Sequence, residues 1–337
     1  DLAQVWHVGV LAFATGSAQA ITVPTRQALV ATSVPRPHLT NAVALSGLSQ
    51  HGSRLAGPLF GAAFLSTLGV SAVFAVAAVL LAVALFCAFQ VGSEVNEASR
   101  MATETGLIGE QGPKGAVAAA VTTLSADLKA ALRYVGADRR LLTVIGMVGV
   151  HCSLTMAFDA MLPALSDKVG GSEGLYGSIL IALGGGALVG TLGVSQIHKA
   201  STRAASFVAT GIASGLSIVL LGVATSPNLV LPAAVLAGLS QAGYMALSAT
   251  LVQGVVADKF RGRVMSFYIM IAAGHMALLN LGFGQIAEVV DVRVLLVVPG
   301  LAWVVLFLGF ALTLPEARSV SFKGHFTYEE QPTGDVV

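Results

Sequence analysis

Apolar residues fall along this chain in long runs separated by short polar turns, and the length of those runs sets the architecture. A helix needs about 20 apolar residues to cross a hydrocarbon core, where its backbone polar groups must be satisfied internally. Nine runs meet that length: 5–30, 43–66, 70–90, 141–165, 175–197, 204–225, 229–253, 264–288 and 293–314. The pattern predicts an all-α polytopic membrane protein. It divides the chain into 1–90 with three spans, a linker over 91–140, a six-span bundle over 141–315 and a tail over 316–337.

The linker breaks the rhythm. Glu94, Glu97, Glu104 and Glu110 stand among Gly, Ser and Thr, a composition that cannot bury a core. From Leu124 the apolar residues Leu124, Leu128, Leu132 and Val135 recur at three and four, with Lys129, Arg133, Asp138, Arg139 and Arg140 between them. That spacing predicts a short amphipathic helix, lying either on the membrane surface or as a solvated linker element.

One charged turn has an echo. LVQGVVADKFRGRVMS from Leu251 is matched by LVATSVPRPHLTNAVA from Leu29: at one constant offset Leu29 and Val30 fall on Leu251 and Val252, Val34 on Val256 and Gly52 on Gly274. A Gly-rich helix follows each copy, which predicts two similar halves. The second half holds six spans and the first only three, so three further N-terminal spans are expected, giving nine of twelve in this chain.

Composition agrees: 55% of residues are hydrophobic, 10% are charged, and the mean hydropathy is +0.82. A net charge of +1 leaves no basic face for nucleic acid. Cys87 and Cys152 lie apart in separate apolar runs, outside any disulfide or metal framework. The start, Asp1, shows no signal-peptide pattern. With the C-terminus inside, the cytoplasmic segments hold nearly all Lys and Arg. Only Lys168 and Arg293 fall outside, while Arg26 and Arg54 lie within spans. This bias predicts a multi-pass membrane protein with a cytoplasmic C-terminus.

Four segments carry a resemblance: PTRQALVATSVPRPHLTNAVAL from Pro24, GSRLAGPLFG from Gly52, GLYGSILIALGGGALVG from Gly174 and DKFRGRVMS from Asp258. With these the chain, to about residue 316, resembles the major facilitator superfamily, in particular its enterobactin-exporter-like branch of transmembrane secretion effectors. The resemblance implies helices 4 to 12 of that fold, alternating access of two bundles and proton-coupled export. It also implies a gating role for Arg54 and likens Gly52, Gly57, Pro58 and Gly61 to an exporter motif, although Ala62 stands where the family has a second glycine. Small residues that let helices approach are the alternative reading of that stretch.

Asp159 is the one carboxylate clearly within a span, four residues before Pro163. Burial disfavours its charged form, so it is the candidate for proton coupling; the alternative is that it reaches water at the helix end. His151, two turns earlier on approximately the same face, is the accompanying candidate, while His7, His51 and His275 read as packed core histidines. Gln19, Arg26, Gln241 and Tyr244 are candidate cavity residues, or polar groups bonding across helices; Arg26 alternatively snorkels to the surface. Asp258, Arg261, Gly262 and Arg263 form either a cytoplasmic latch or a positive-inside anchor. Gly186 and Gly190 offer a small-residue packing face.

No phosphate-binding GxxxxGK[ST], Ser-His-Asp or HExxH pattern occurs, so neither ATP chemistry nor intramembrane hydrolysis is expected, and no cofactor. The expected protein is a monomeric secondary transporter in the lipid bilayer, using protons to export a small, partly apolar solute. A solute importer, a non-transporting scaffold or sensor, and an inactive truncated product are the alternatives.

Overall fold

The computed structural model describes residues 71–87, 129–170, 174–197, 199–287 and 289–323, with isolated helical positions at 14, 15, 18, 53, 57, 60 and 89. Among the described residues there are helices and turns and no strand. An apolar helix, α1, covers Ser71–Cys87. A short helix, α2, covers 129–137. The six-span bundle follows.

The first span, Arg139–Lys168, is interrupted. It consists of α3 (Arg139–His151), a π-helical turn (Cys152–Met156), a 3-10 turn (Asp159–Met161) and α4 (Leu162–Lys168). Five continuous spans come next: α5 (Leu175–Ser195), α6 (Ala200–Val223), α7 (Pro227–Val255), α8 (Asp258–Ile286) and α9 (Val292–Thr313). A last helix, α10, covers Pro315–Lys323. Five of the six spans, and α8 from Arg263 onward, are long and apolar enough to cross a membrane, close to the six runs expected after the linker.

The helix ends have local causes. Asp138 caps α3, its carboxylate accepting from the Arg140 N–H at 2.9 Å and pairing with the Arg140 guanidinium at 2.7 Å. α4 closes on Gly170, whose φ of +74° is open to glycine at little cost. Pro227 sits in the first turn of α7, where a missing N–H costs nothing. Asp291 caps α9 by accepting from the Arg293 N–H at 2.9 Å, and also pairs with Lys168. Leu314, held extended before Pro315, separates α9 from α10.

Packing within the bundle is uneven. In α5, a Cβ on Gly186 or Gly190 would collide with the α7 carbonyls of Val235 and Leu239, and one on Gly238 of α7 would strike Leu183. The two backbones therefore touch directly, as the Gly186/Gly190 spacing predicts. α6 and α9 meet similarly, where a Cβ at Gly215 would come within 2.7 Å of the Gly300 carbonyl. Outward faces remain apolar, with Val189, Leu220, Leu278 and Val305 exposed, which suits lipid.

Both short helices depart from expectation. On α2 the buried residues are Ala131 and Val135, while Leu132 of the expected stripe is 48% exposed. α2 docks on the bundle: Tyr134 stacks on Phe260 at 4.5 Å, and its hydroxyl accepts from the Ala257 N–H at 3.2 Å. α10, inside the segment expected as a tail, buries Ala317 and Val320 in the same core cluster. Gln19, Arg26, Arg54, Pro58 and Gly61 lie outside the described residues, as does most of the expected first bundle.

Candidate functional site

The break in the first span positions the site. Pro163 has no N–H to give and its ring crowds the preceding turn, which suits it to the first turn of α4, on the far side of the break. Ser153 and Thr155 bend the chain further by donating back to the carbonyls of Gly149 and His151, each at 2.9 Å. Neighbouring spans stitch the opened backbone. Gln241 of α7 donates its Nε2–H to the Thr155 carbonyl at 2.7 Å, and Asn280 of α8 accepts from the Ala160 N–H at 3.3 Å. Irregular backbone at membrane depth is tolerated where protein satisfies it in this way.

Beside the break lies a groove of about 650 Å³ between the first span, α5 and α7. Met156, Asp159, Tyr176, Thr191, Gln241 and Met245 are among the residues that line it. Most of the wall is apolar, with Asp159 exposed on one side and Gln241 nearly buried on the other. The structure thus brings together two residues selected from the sequence, Asp159 and Gln241. Tyr176, Thr191 and Asn280 escaped the sequence reading; an isolated polar residue in an apolar run does not reveal the face it occupies.

His151 and Tyr244 lie elsewhere. His151 is fully buried at the end of α3, with Nε2 3.1 Å from Ser214 Oγ and its ring 4.4 Å from Tyr244 and 4.9 Å from Trp303. The Ser214 hydroxyl donates to the Gly211 carbonyl at 2.9 Å, so it accepts from a protonated Nε2. Nδ1 and the Tyr244 hydroxyl have no hydrogen-bond partner among the described residues. Trp303 closes this aromatic cluster, its Nε1–H donating to Gly211 at 2.7 Å. The expected common face of His151 and Asp159 is lost: the intervening π and 3-10 turns leave one in the core and the other exposed.

The stretch beginning at Asp258 is helical rather than a loop: the turn between α7 and α8 is Val256–Ala257, and Asp258, Arg261, Gly262 and Arg263 occupy the first turns of α8. Arg263 is exposed. Gly57 occupies an isolated helical position where an added Cβ would meet nothing within 4 Å. His275 lies on a second, largely apolar groove of about 370 Å³ between α3 and α8.

A broken span, stitched by its neighbours and flanked by a polar-lined groove, defines a multi-pass helical membrane protein with an intramembrane cavity. The chain belongs to the transmembrane secretion effector family of the major facilitator superfamily, whose family model matches residues 1–336. That is a family of membrane transporters. Neither the curated proteins nor the solved structures contain a match to the chain.

Proposed function

We propose that the protein is a proton-coupled exporter of a small, partly apolar solute, working by alternating access in the bacterial cytoplasmic membrane with its C-terminus inside. One observation carries this reading: the groove beside the broken span joins a carboxylate and an amide to apolar walls. Its volume of about 650 Å³ falls in the range of about 300–1,000 Å³ typical of small-molecule sites. In this reading Gln19 and Arg26 are further solute contacts and Arg54 is a gating residue.

Asp159 is the proton-coupling residue, because its exposure on the groove lets it exchange protons with water and solute in turn. Gln241 contacts solute while holding the break. His151 and Tyr244 serve as packing in the aromatic core of the bundle. The charged first turns of α8, from Asp258 to Arg263, act as the cytoplasmic latch. The unit of function is a monomer.

In proteoliposomes with an imposed pH gradient, Asp159→Asn is expected to abolish solute-linked proton movement while the bundle stays folded. Proton flux equal to the parent's would remove Asp159 from the coupling. Accumulation of labelled solute by expressing cells, in place of depletion, would reverse the direction assigned here.

A further inference from the structure

One buried thiol lies against two thioethers of the groove wall. Cys152 Sγ lies 3.8 Å from Met156 Sδ and 3.8 Å from Met245 Sδ. Cys152 is 1% exposed, whereas both methionines are half-buried and line the groove. We propose that Cys152, Met156 and Met245 form a binding site for a soft monovalent metal ion, copper(I) or silver(I), entered from the groove through the two thioethers.

Geometry, softness and charge each point to that ion. A metal about 2.3 Å from three sulfurs in one plane requires sulfurs about 4.0 Å apart, close to the distance of Cys152 Sγ from each thioether. Thiolate and thioether donors together select copper(I) over the harder divalent ions. A single thiolate cancels one positive charge, leaving a neutral complex that a low-dielectric interior accepts; a divalent ion would leave a net charge there.

The ligands are held in place. Cys152 and Met156 open and close one π-helical turn, and the Cys152 sulfur faces Met245 of α7. Tyr268 of α8 donates to the Met245 carbonyl at 3.3 Å and lies 3.9 Å from its sulfur, positioning that side chain. On binding, the Cys152 thiol gives its proton to water in the groove and a metal–sulfur bond forms; no electron is transferred, because the ion arrives as copper(I).

The test uses the full chain carrying Cys87→Ser, which removes the other cysteine, purified reduced and without oxygen. Copper(I) is titrated against a chromophoric copper(I) chelator. The expected result is one ion per chain, with an X-ray absorption first shell of three sulfurs at about 2.3 Å. Loss of a ligand should exceed the 10–100-fold cost of losing an outer-shell partner, so Cys152→Ser should weaken binding by more than about 100-fold. Met245→Leu, which conserves volume, should weaken it by at least about tenfold and keeps the test valid if the cysteine variant does not fold. Unchanged affinity in the folded variants, or a first shell of nitrogen or oxygen, would overturn the site.

Discussion

α5 and α8 are both membrane spans, yet they meet their partners in opposite ways. α5 lies backbone to backbone on α7 through Gly186, Gly190 and Gly238, where even one methyl group has no room. α8 meets α3 through side chains and leaves between them an apolar groove of about 370 Å³ lined by Gly146, Phe267 and Ile271. The first seam has one register and no slack. The second is spaced by side chains and stays open over part of its length.

The largest effect should come from attacking the tight seam. Gly238→Ala drives a Cβ into the Leu183 backbone, and overpacking of this kind costs about 1–3 kcal/mol. Thermal unfolding in detergent should show the loss, and a melting temperature equal to the parent's would erase the contrast between the seams. Gln241→Leu should come next. It strips the Thr155 carbonyl of a 2.7 Å partner, worth about 0.6–1.7 kcal/mol for polar contacts between membrane helices. Gly146→Ala tests the loose seam, where an added Cβ meets nothing within 4 Å. With glycine's freedom removed from the unfolded chain, this variant should be more stable by about 0.4–1 kcal/mol.

The smallest effect concerns the ends of the first and last spans, tied by Lys168 and Asp291. The ion-paired bond from Lys168, then the N–H of Arg293, hold the Asp291 carboxyl below its ordinary value of 3.8. A lowered folded value means the tie contributes stability above pH 3.8 and loses it as pH falls through the folded value. Asp291→Asn should therefore narrow the difference between unfolding at neutral and at acid pH. An acid loss as large as the parent's would place the sensitive group elsewhere.

The spans of the second bundle were legible because about 20 apolar residues between polar turns have few other uses. The Gly186 and Gly190 seam was legible for a similar reason: small residues at four-residue spacing mark a close approach. The site was half legible. Asp159 stood out as a carboxylate in an apolar run, but the run was read as one unbroken span, and nothing in it revealed the break or that Gln241 and Asn280 would repair it. Such partners are set by tertiary geometry. The pairing of His151 with Asp159 failed because it assumed an unbroken α-helical period. On α2 the Leu132 stripe failed because the bundle, rather than a bilayer, chose the buried face. α10 was hidden by its shortness and its charges.

The burial of Trp303 has an optical consequence. The chain contains two tryptophans, and the other is Trp6. Trp303 is fully enclosed, edge-on to His151 and beside Phe307, so a Trp6→Phe protein would carry a single indole at the heart of its second bundle. Its emission should be blue-shifted and shielded from iodide. Any step that loosens the aromatic cluster would register as a red shift, giving a label-free, real-time signal from the protein's own interior.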